Sequence, residues 1–251
     1  MVVGLDRFKA QFAGFEDQYA LIGGAACEVL MEQAGLGFRA TKDLDIVLCV
    51  ETMDAAFTRR FLEFVEAGGY EQRERSSGDK EFYRFIEPKD PSYPHMLELF
   101  SRKPDAITLG PNSYLTPIPV EEAIASLSAI LLDDAYYALL TAGMTVVDGV
   151  SVLNAATLIP FKAFAYLNLR KTKDEGGKVD QRDITKHRND VFRLLQLLAA
   201  GSVIALPDRI KTDLATFAER VAADPTFTPK DFGLPPPGAE QIARLREAYS
   251  L

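Results

Sequence analysis

The sequence predicts an α/β (α+β) protein, with a mixed sheet flanked by helices followed by a mainly helical C-terminal lobe. In the first half, short apolar runs of strand length alternate with segments of helical periodicity, as in α/β sheets of mixed direction. An Asp-Gly pair between two apolar runs marks a β-hairpin near residues 145–153. After Asn154, apolar residues recur mostly at helical spacing.

The elements of the first half follow from apolar periodicity and from turn and cap residues. In chain order we expect a helix over 5–15, a strand over 19–24 that runs into a glycine turn, a helix ending near 35, a strand over 41–48, a helix capped by Thr52 and ended by Gly68-Gly69, a hairpin of 70–75 and 80–86 around Ser76-Ser77-Gly78, and a strand over 95–100.

The second half changes character near residue 118, which divides the chain into an α/β lobe over 1–118 and a mainly helical lobe over 119–251. The segment SLSAILLDDAYYALL (126–140) is predicted to be helical, with Asp133 and Asp134 beside the helix start. Further helices are expected over 160–170, with Pro160 in the first helical position, and over 182–200, 208–223 and 239–249.

Composition and charge exclude several functional classes. The 251 residues are 47% hydrophobic and carry a formal net charge of -8, which argues against broad, non-specific nucleic-acid binding. Cys27 and Cys49 cannot form a metal-binding set, so they are expected to be buried free thiols in a reducing cytosol. The N-terminus lacks the pattern of a signal peptide and no apolar run reaches membrane-spanning length, so we expect a cytoplasmic protein with no membrane partner.

The stretch TKDLDIVL (41–48) places two carboxylates inside an apolar strand. Side chains alternate along a strand, so Asp43 and Asp45 point to one face while Leu44 and Ile46 point to the other. Neighbouring carboxylates in a poorly solvated place repel each other unless a positive charge lies between them. Either this strand end is solvated, or a cation binds there; two carboxylates and substrate phosphates are a typical Mg²⁺ ligand set.

Two further signals accompany the aspartates. Gly23 and Gly24 join a strand to a helix, where backbone N–H groups can approach a phosphate at the positive helix end, although any tight turn of this kind can require glycine. Glu98 lies between Leu97 and Leu99 in a later strand, and supplies a third acid.

Taken in this order, LIGGAACEVL, RATKDLDIVL and MLELF resemble the DNA polymerase beta-like nucleotidyltransferase superfamily, and most closely its AbiEii/AbiGii-type toxin branch. The resemblance implies that Asp43, Asp45 and Glu98 bind one or two Mg²⁺ ions, and that Glu98 either completes this site or accepts a proton. It implies nucleotide contacts for Gly23, Gly24, Arg39 and Thr41. Gly24 stands where many members carry serine.

The second half resembles the same branch over LIPFKAFAYLNLR and RDITKHRNDVFRLLQLL. The resemblance implies that Lys162 neutralises phosphate charge, that Lys186 contacts the nucleotide, and that Asp190 either orients Lys162 or binds the nucleotide. Alternatively, Asp183, Lys186 and Asp190 are ordinary ion-pairing residues of a helix surface.

The implied activity is transfer of a nucleoside monophosphate from an NTP to an acceptor in a toxin–antitoxin or abortive-infection system, with a cognate antitoxin as a possible partner. The segment 162–193 holds nine Lys and Arg against five Asp and Glu, which favours an RNA acceptor such as a tRNA end. Two alternatives stay open: nucleotidylation of a small molecule such as an antibiotic, and a catalytically idle, partner-binding protein of the same fold.

Overall fold

A computed structural model describes residues 2–74, 80–102, 115–117, 128–235 and 237–251. The chain divides into two compact units, Met1–Leu153 and Asn154–Leu251.

The first unit alternates helices and strands. Its described elements are α1 (Leu5–Phe12), β1 (Tyr19–Ile22), α2 (Gly23–Gln33), β2 (Asp43–Leu48), α3 (Ala55–Gly68), β3 (Glu71–Glu74), β4 (Lys80–Ile86), β5 (Met96–Ser101), β6 (Leu115–Pro117), β7 (Ser128–Leu131), α4 (Asp134–Gly143), β8 (Met144–Val147) and β9 (Val150–Leu153).

These strands form one mixed sheet. Seven of them follow the order β3-β4-β5-β2-β1-β9-β8, while β7 pairs with β5 and with β6. The central strand β2 is antiparallel to β1 and parallel to β5, and β9 is parallel to β1. The predicted α/β class with a sheet of mixed direction is therefore confirmed.

One face of the sheet carries a large part of the core of the first unit. Leu44, Ile46, Leu97 and Leu99 are fully buried, and they pair in register across β2 and β5. An aromatic cluster from α1, β1 and α3 adds to this core; its members are Phe8, Phe12, Tyr19, Phe57, Phe61 and Phe64. Because strand side chains alternate, the acids of β2 project from the opposite face.

Several element boundaries differ from those that the sequence predicts. The cap of α3 is Asp54, whose side chain accepts a hydrogen bond from the Phe57 amide, and not Thr52. Thr52 instead donates to the Asp17 carbonyl at 2.7 Å. Gly69 ends α3 at a φ of 63°, as expected for a glycine C-cap. The predicted turn at Ser76-Ser77-Gly78 lies outside the described residues.

The helix predicted over 126–140 is in part a strand. Ser128–Leu131 forms β7 beside β5, and α4 begins only at Asp134 with Asp133 as its N-cap. Backbone pairing with β5 outweighs the local helical pattern of this short apolar run. The predicted Asp-Gly hairpin is present, with Asp148 and Gly149 both at positive φ between β8 and β9.

Because of this hairpin, the boundary between the two units lies later in the chain than the sequence predicts. The sequence predicts a division near residue 118, whereas the compact units divide after Leu153. The cause is that β9 pairs with β1, which extends the sheet of the first unit through the segment assigned to the helical lobe.

The described elements of the second unit are all helical: α5 (Ala155–Asp174), α6 (Gln181–Leu195), α7 (Asp208–Ala222), the 3-10 helix Pro229–Phe232, and α8 (Gly238–Tyr249). Its core includes the rings of Tyr166, Phe192 and Phe217. None of the helices in the described part of the chain is both long and apolar enough to span a membrane.

Pro160 lies inside α5 and not at its first position, because Asn154 caps the helix through the Thr157 amide. A proline cannot donate to the carbonyl four residues earlier, which here belongs to Ala156. The Tyr249 hydroxyl donates to that carbonyl at 2.7 Å. The C-terminal helix therefore satisfies the acceptor that Pro160 leaves open.

Candidate functional site

The two aspartates of β2 lie where the strand pattern placed them. Asp43 and Asp45 are partly exposed, while Leu44 and Ile46 between and after them are fully buried. The Oδ1 atom of Asp43 is buried and accepts no hydrogen bond from any described residue. A buried carboxylate oxygen without a donor is unfavourable unless a cation or another ligand contacts it.

Gly23 brings the start of α2 against Asp45. Its φ is 65°, in the left-handed region, and a β-carbon built there would lie 2.7 Å from Asp45 Cγ and would overlap Oδ2. Glycine is thus required at position 23 both by the turn and by the approach of the carboxylate. The N-cap residue Ile22 offers no side-chain cap, and the first turn of α2 contains no acidic residue.

Gly24 makes a second close approach. A β-carbon at this position would lie 2.6 Å from Thr41 Oγ1 and 3.5 Å from Arg39 Nη2. A serine would therefore not fit here without a shift, and the Thr41 hydroxyl occupies the space beside the turn. The structure brings together the predicted nucleotide contacts of the first unit: Gly23, Gly24, Arg39 and Thr41, with Asp45 beside them.

A row of charged residues crosses the sheet from Asp45. Asp45 pairs in register with Glu98 of β5, and Glu98 pairs with Arg84 of β4. The Arg84 guanidinium donates to Glu98 Oε1 through Nε at 2.6 Å and also through Nη2. The carboxylate of Glu98 is largely buried, so this ion pair is only partly screened by solvent.

The contact between Arg84 and Glu98 is not predicted by the sequence. The strand order and register decide this contact, and neither is readable from the local pattern. A useful signal would have been the alternation in KEFYRFI (80–86), which places Arg84 on the face opposite to Phe85.

The predicted three-acid metal site is not assembled. Within the described ranges, no group of three His, Cys, Asp or Glu side chains is arranged to hold a metal ion. Glu98 contacts Arg84 in this arrangement, and its role as a metal ligand stays a prediction. The remaining donors, Asp43 and Asp45, fit Mg²⁺, because this ion is commonly held by one or two carboxylates together with substrate oxygens and water.

In the second unit, the predicted residues Lys162 and Asp190 form a buried pair. Lys162 Nζ lies 3.3 Å from Asp190 Oδ2, and the two residues are 2% and 0% exposed. Arg193 Nη1 lies 3.3 Å from the other oxygen, Oδ1. Both carboxylate oxygens of Asp190 thus contact cations, which favours the orienting role among the two that the resemblance implied.

Lys186 is on the surface of α6, where its amine lies 2.9 Å from Asp183 Oδ1. This is the ordinary helix-surface pairing that the sequence left open as an alternative. Several other cations of the basic segment are also paired with acids: Lys171 with Glu175, and Arg188 with Asp224. Asp224 lies outside the segment 162–193, so its pairing with Arg188 by itself lowers the local net charge of that segment from +4 to +3.

Comparisons of this chain with protein-family models, with curated proteins and with solved structures find no match.

Proposed function

We propose that this protein is a Mg²⁺-dependent nucleotidyltransferase that moves a nucleoside monophosphate from an NTP to an acceptor, with release of pyrophosphate. The observation that carries the proposal is the packing of Asp45 against Gly23 at the start of α2. It places a carboxylate next to the backbone amides of a helix N-terminus, which is a favourable location for phosphate.

In this proposal, the turn at the start of α2 binds the β- and γ-phosphates. Gly23 and Gly24 present backbone N–H groups, and the absence of side chains there allows phosphate oxygens to come close to the chain. The Thr41 hydroxyl supplies the donor that a serine at position 24 would provide. Arg39, whose guanidinium lies near Gly24, pairs with phosphate charge.

Asp43 and Asp45 would hold Mg²⁺ together with phosphate oxygens. When bound, this ion neutralises charge on the triphosphate and polarises the α-phosphate. The uncompensated Oδ1 atom of Asp43 supports this assignment, because a buried oxygen of this kind needs a cationic or donor partner.

Transfer requires one bond to form and one to break. The acceptor hydroxyl oxygen bonds to the α-phosphorus, while the bond from that phosphorus to the bridging oxygen breaks and pyrophosphate leaves with the electron pair. Glu98, which lies next to Asp45 on the sheet, accepts the hydroxyl proton. Arg84 acts as a positioning residue that fixes the Glu98 carboxylate.

In the second unit, Lys162 neutralises phosphate charge and Asp190 orients its amine. Lys186 has no nucleotide contact in this proposal, because its ion pair with Asp183 is sufficient to explain where its amine lies. The acceptor is an RNA such as a tRNA end, and an antitoxin is a further partner of a toxin with this activity.

Incubation with each α-labelled NTP, Mg²⁺ and total cellular RNA tests the proposal. Wild type should label RNA, Asp45→Asn should lose at least a hundredfold in rate, and Glu66→Gln, an exposed acid on α3, should match wild type. Thermal unfolding with Mg²⁺ and NTP provides a second readout, since a bound ligand stabilises by about 2.7 kcal/mol at a hundredfold excess over Kd.

Four outcomes distinguish the alternatives. Label transferred to small hydroxylated compounds but not to RNA would assign a small-molecule acceptor. Neither transfer nor stabilisation by any NTP would support an idle, partner-binding protein of this fold. RNA labelling that is insensitive to ionic strength would contradict a charge-guided RNA acceptor. Growth arrest on overexpression that Asp43→Ala relieves would support the toxin assignment.

A further inference from the structure

A cleft of about 1250 Å³ opens in the first unit at the end of β2 that is remote from Asp43. Cys49, which directly follows β2, is part of its lining, as are residues of α4 and β8. At about 3.3 Å per residue, the strand separates the α-carbons of Asp43 and Cys49 by roughly 20 Å. The cleft is therefore separate from the proposed nucleotide site.

The floor of this cleft is largely apolar. Met144 and Val146 of β8 lie on one face of the hairpin, and Val146 is 56% exposed. The Cys49 thiol donates to Met144 Sδ at 3.6 Å. An exposed valine beside a thioether is a suitable surface for a ligand with a hydrocarbon chain.

The rim is acidic. Of the described residues that line the cleft, four are carboxylates and one is a guanidinium, a formal charge of -3; they are Glu16, Asp17, Glu51, Asp134 and Arg102. The guanidinium of this set already has partners: Arg102 donates to Glu51 and lies over the Tyr137 ring, 5.8 Å from its centroid. Burial alone would raise the pKa of Glu51, but hydrogen bonds from Tyr137 and Arg102 hold it below its usual value.

Two of the other acids lack, among the described residues, the cation partner that Glu51 has. In the described part of the chain, neither the Asp17 nor the Asp134 carboxylate has an ion-pair partner. Both are exposed at the rim. They are consequently the two carboxylates best able to accept hydrogen bonds from a cationic ligand.

Ser151 adds an independent indication that a ligand belongs here. It lines the cleft, it is 1% exposed, and its Oγ atom has no hydrogen-bond partner among the described residues. Ser151 pairs with Val146 in the β8–β9 register, so the two side chains share the face that forms the floor. A buried hydroxyl without a partner is rare in folded proteins, and a ligand donor in the cleft would satisfy it.

We propose that this cleft binds an aliphatic polyamine or the equivalent amine-bearing side chains of a basic peptide. The cationic ends are held by Asp17 and Asp134, and the hydrocarbon segments pack on Met144 and Val146. A protonated amine within the chain donates to Ser151 Oγ.

Isothermal titration of the full chain with spermidine, with a trilysine amide peptide and with 1,6-hexanediol tests the proposal. Wild type should bind at least one of the two amines, and the uncharged diol should not bind. Stronger binding of spermidine would identify a free polyamine as the ligand, and stronger binding of the peptide would identify a segment of a partner protein.

Variants separate the cleft from general attraction to an acidic protein. Asp17→Asn and Asp134→Asn should each weaken amine binding about tenfold, Ser151→Ala about threefold, and Glu66→Gln not at all. Ser151→Ala removes a hydroxyl that no described residue contacts through a hydrogen bond, so the variant should fold normally. The proposal would be overturned if wild type, Asp17→Asn and Asp134→Asn bound the amine with equal affinity. It would also be overturned if Glu66→Gln lost as much affinity for the amine as these two variants.

Discussion

The carboxylate of Asp45 lies against Gly23 so closely that any side chain at position 23 would overlap it. A strand residue and a helix N-terminus that are about twenty positions apart in sequence thus form one contact. This contact links a conformational requirement, the positive φ of Gly23, to the presence of an acid on β2. It can be tested without knowledge of the substrate.

Gly23→Ala should destabilise the protein by about 2–4 kcal/mol, because the left-handed conformation and the overlap with Asp45 both add cost. Gly14→Ala is the matched control. Gly14 also has a positive φ, of 89°, but no described residue lies within 4 Å of a β-carbon built there, so a cost of about 1–2 kcal/mol is expected. Urea unfolding measures both. The overlap predicts that Gly23→Ala costs less in an Asp45→Ala background; an unchanged cost would contradict it.

Asp43→Asn should raise the free energy of unfolding by about 0.5–1 kcal/mol when no divalent ion is present, because it removes repulsion between neighbouring carboxylates. It should also abolish any stabilisation by Mg²⁺ with NTP. Asp231→Asn, an exposed aspartate of the second unit, serves as the control. Thermal unfolding with and without Mg²⁺ and NTP gives the result, and an Asp43→Asn protein that Mg²⁺ still stabilises would argue against this ligand assignment.

The buried pair of Lys162 and Asp190 predicts strong non-additivity. Lys162→Met or Asp190→Leu alone should cost about 3–5 kcal/mol, since each removes one member of a buried ion pair, and the double variant should cost less than the sum. Glu175→Gln, which breaks the exposed pair with Lys171, should cost no more than about 0.5 kcal/mol. If a folded double variant keeps full turnover, Lys162 has a structural role only.

Tyr249→Phe should destabilise the second unit by about 1–3 kcal/mol, because the Ala156 carbonyl then loses its donor. Pro160→Ala restores a backbone N–H four residues after Ala156, so the Tyr249→Phe penalty should shrink in that background. Denaturant unfolding of the four proteins of this cycle measures the coupling. Equal penalties in both backgrounds would show that the hydroxyl does not compensate for the proline.

Cys49 should react slowly with thiol reagents in the native state. Burial, followed by the charges of Glu51 and Asp17, raises the pKa of its thiol to about 12. A higher pKa lowers the thiolate fraction at pH 8, here by about a thousandfold relative to an unperturbed thiol, and only the thiolate reacts. Alkylation of Cys49 in a Cys27→Ala variant should therefore be slow at pH 8 and should accelerate as the pH rises through 10. Alkylation should be fast in urea, where the protein is unfolded. Rapid alkylation of the native protein at pH 8 would contradict the raised pKa of Cys49.

The local pattern was sufficient to predict several elements correctly. The alternation in DLDIVL placed Asp43 and Asp45 on one face, and the Asp-Gly pair identified the β8–β9 hairpin. Both signals depend on geometry that a few consecutive residues fix by themselves. The apolar segment before Asp133 was assigned to a helix, because a short run of this kind fits either structure until a neighbouring strand pairs with it.

The sequence by itself determined the α/β class, the glycine turn, and the identity of the two acids on β2, since periodicity and turn chemistry are local properties of the chain. Only the tertiary structure decided that Glu98 contacts Arg84, that β9 extends the first sheet, and that Tyr249 donates to Ala156. These contacts depend on strand register and helix packing between distant segments, which local side-chain preferences do not specify.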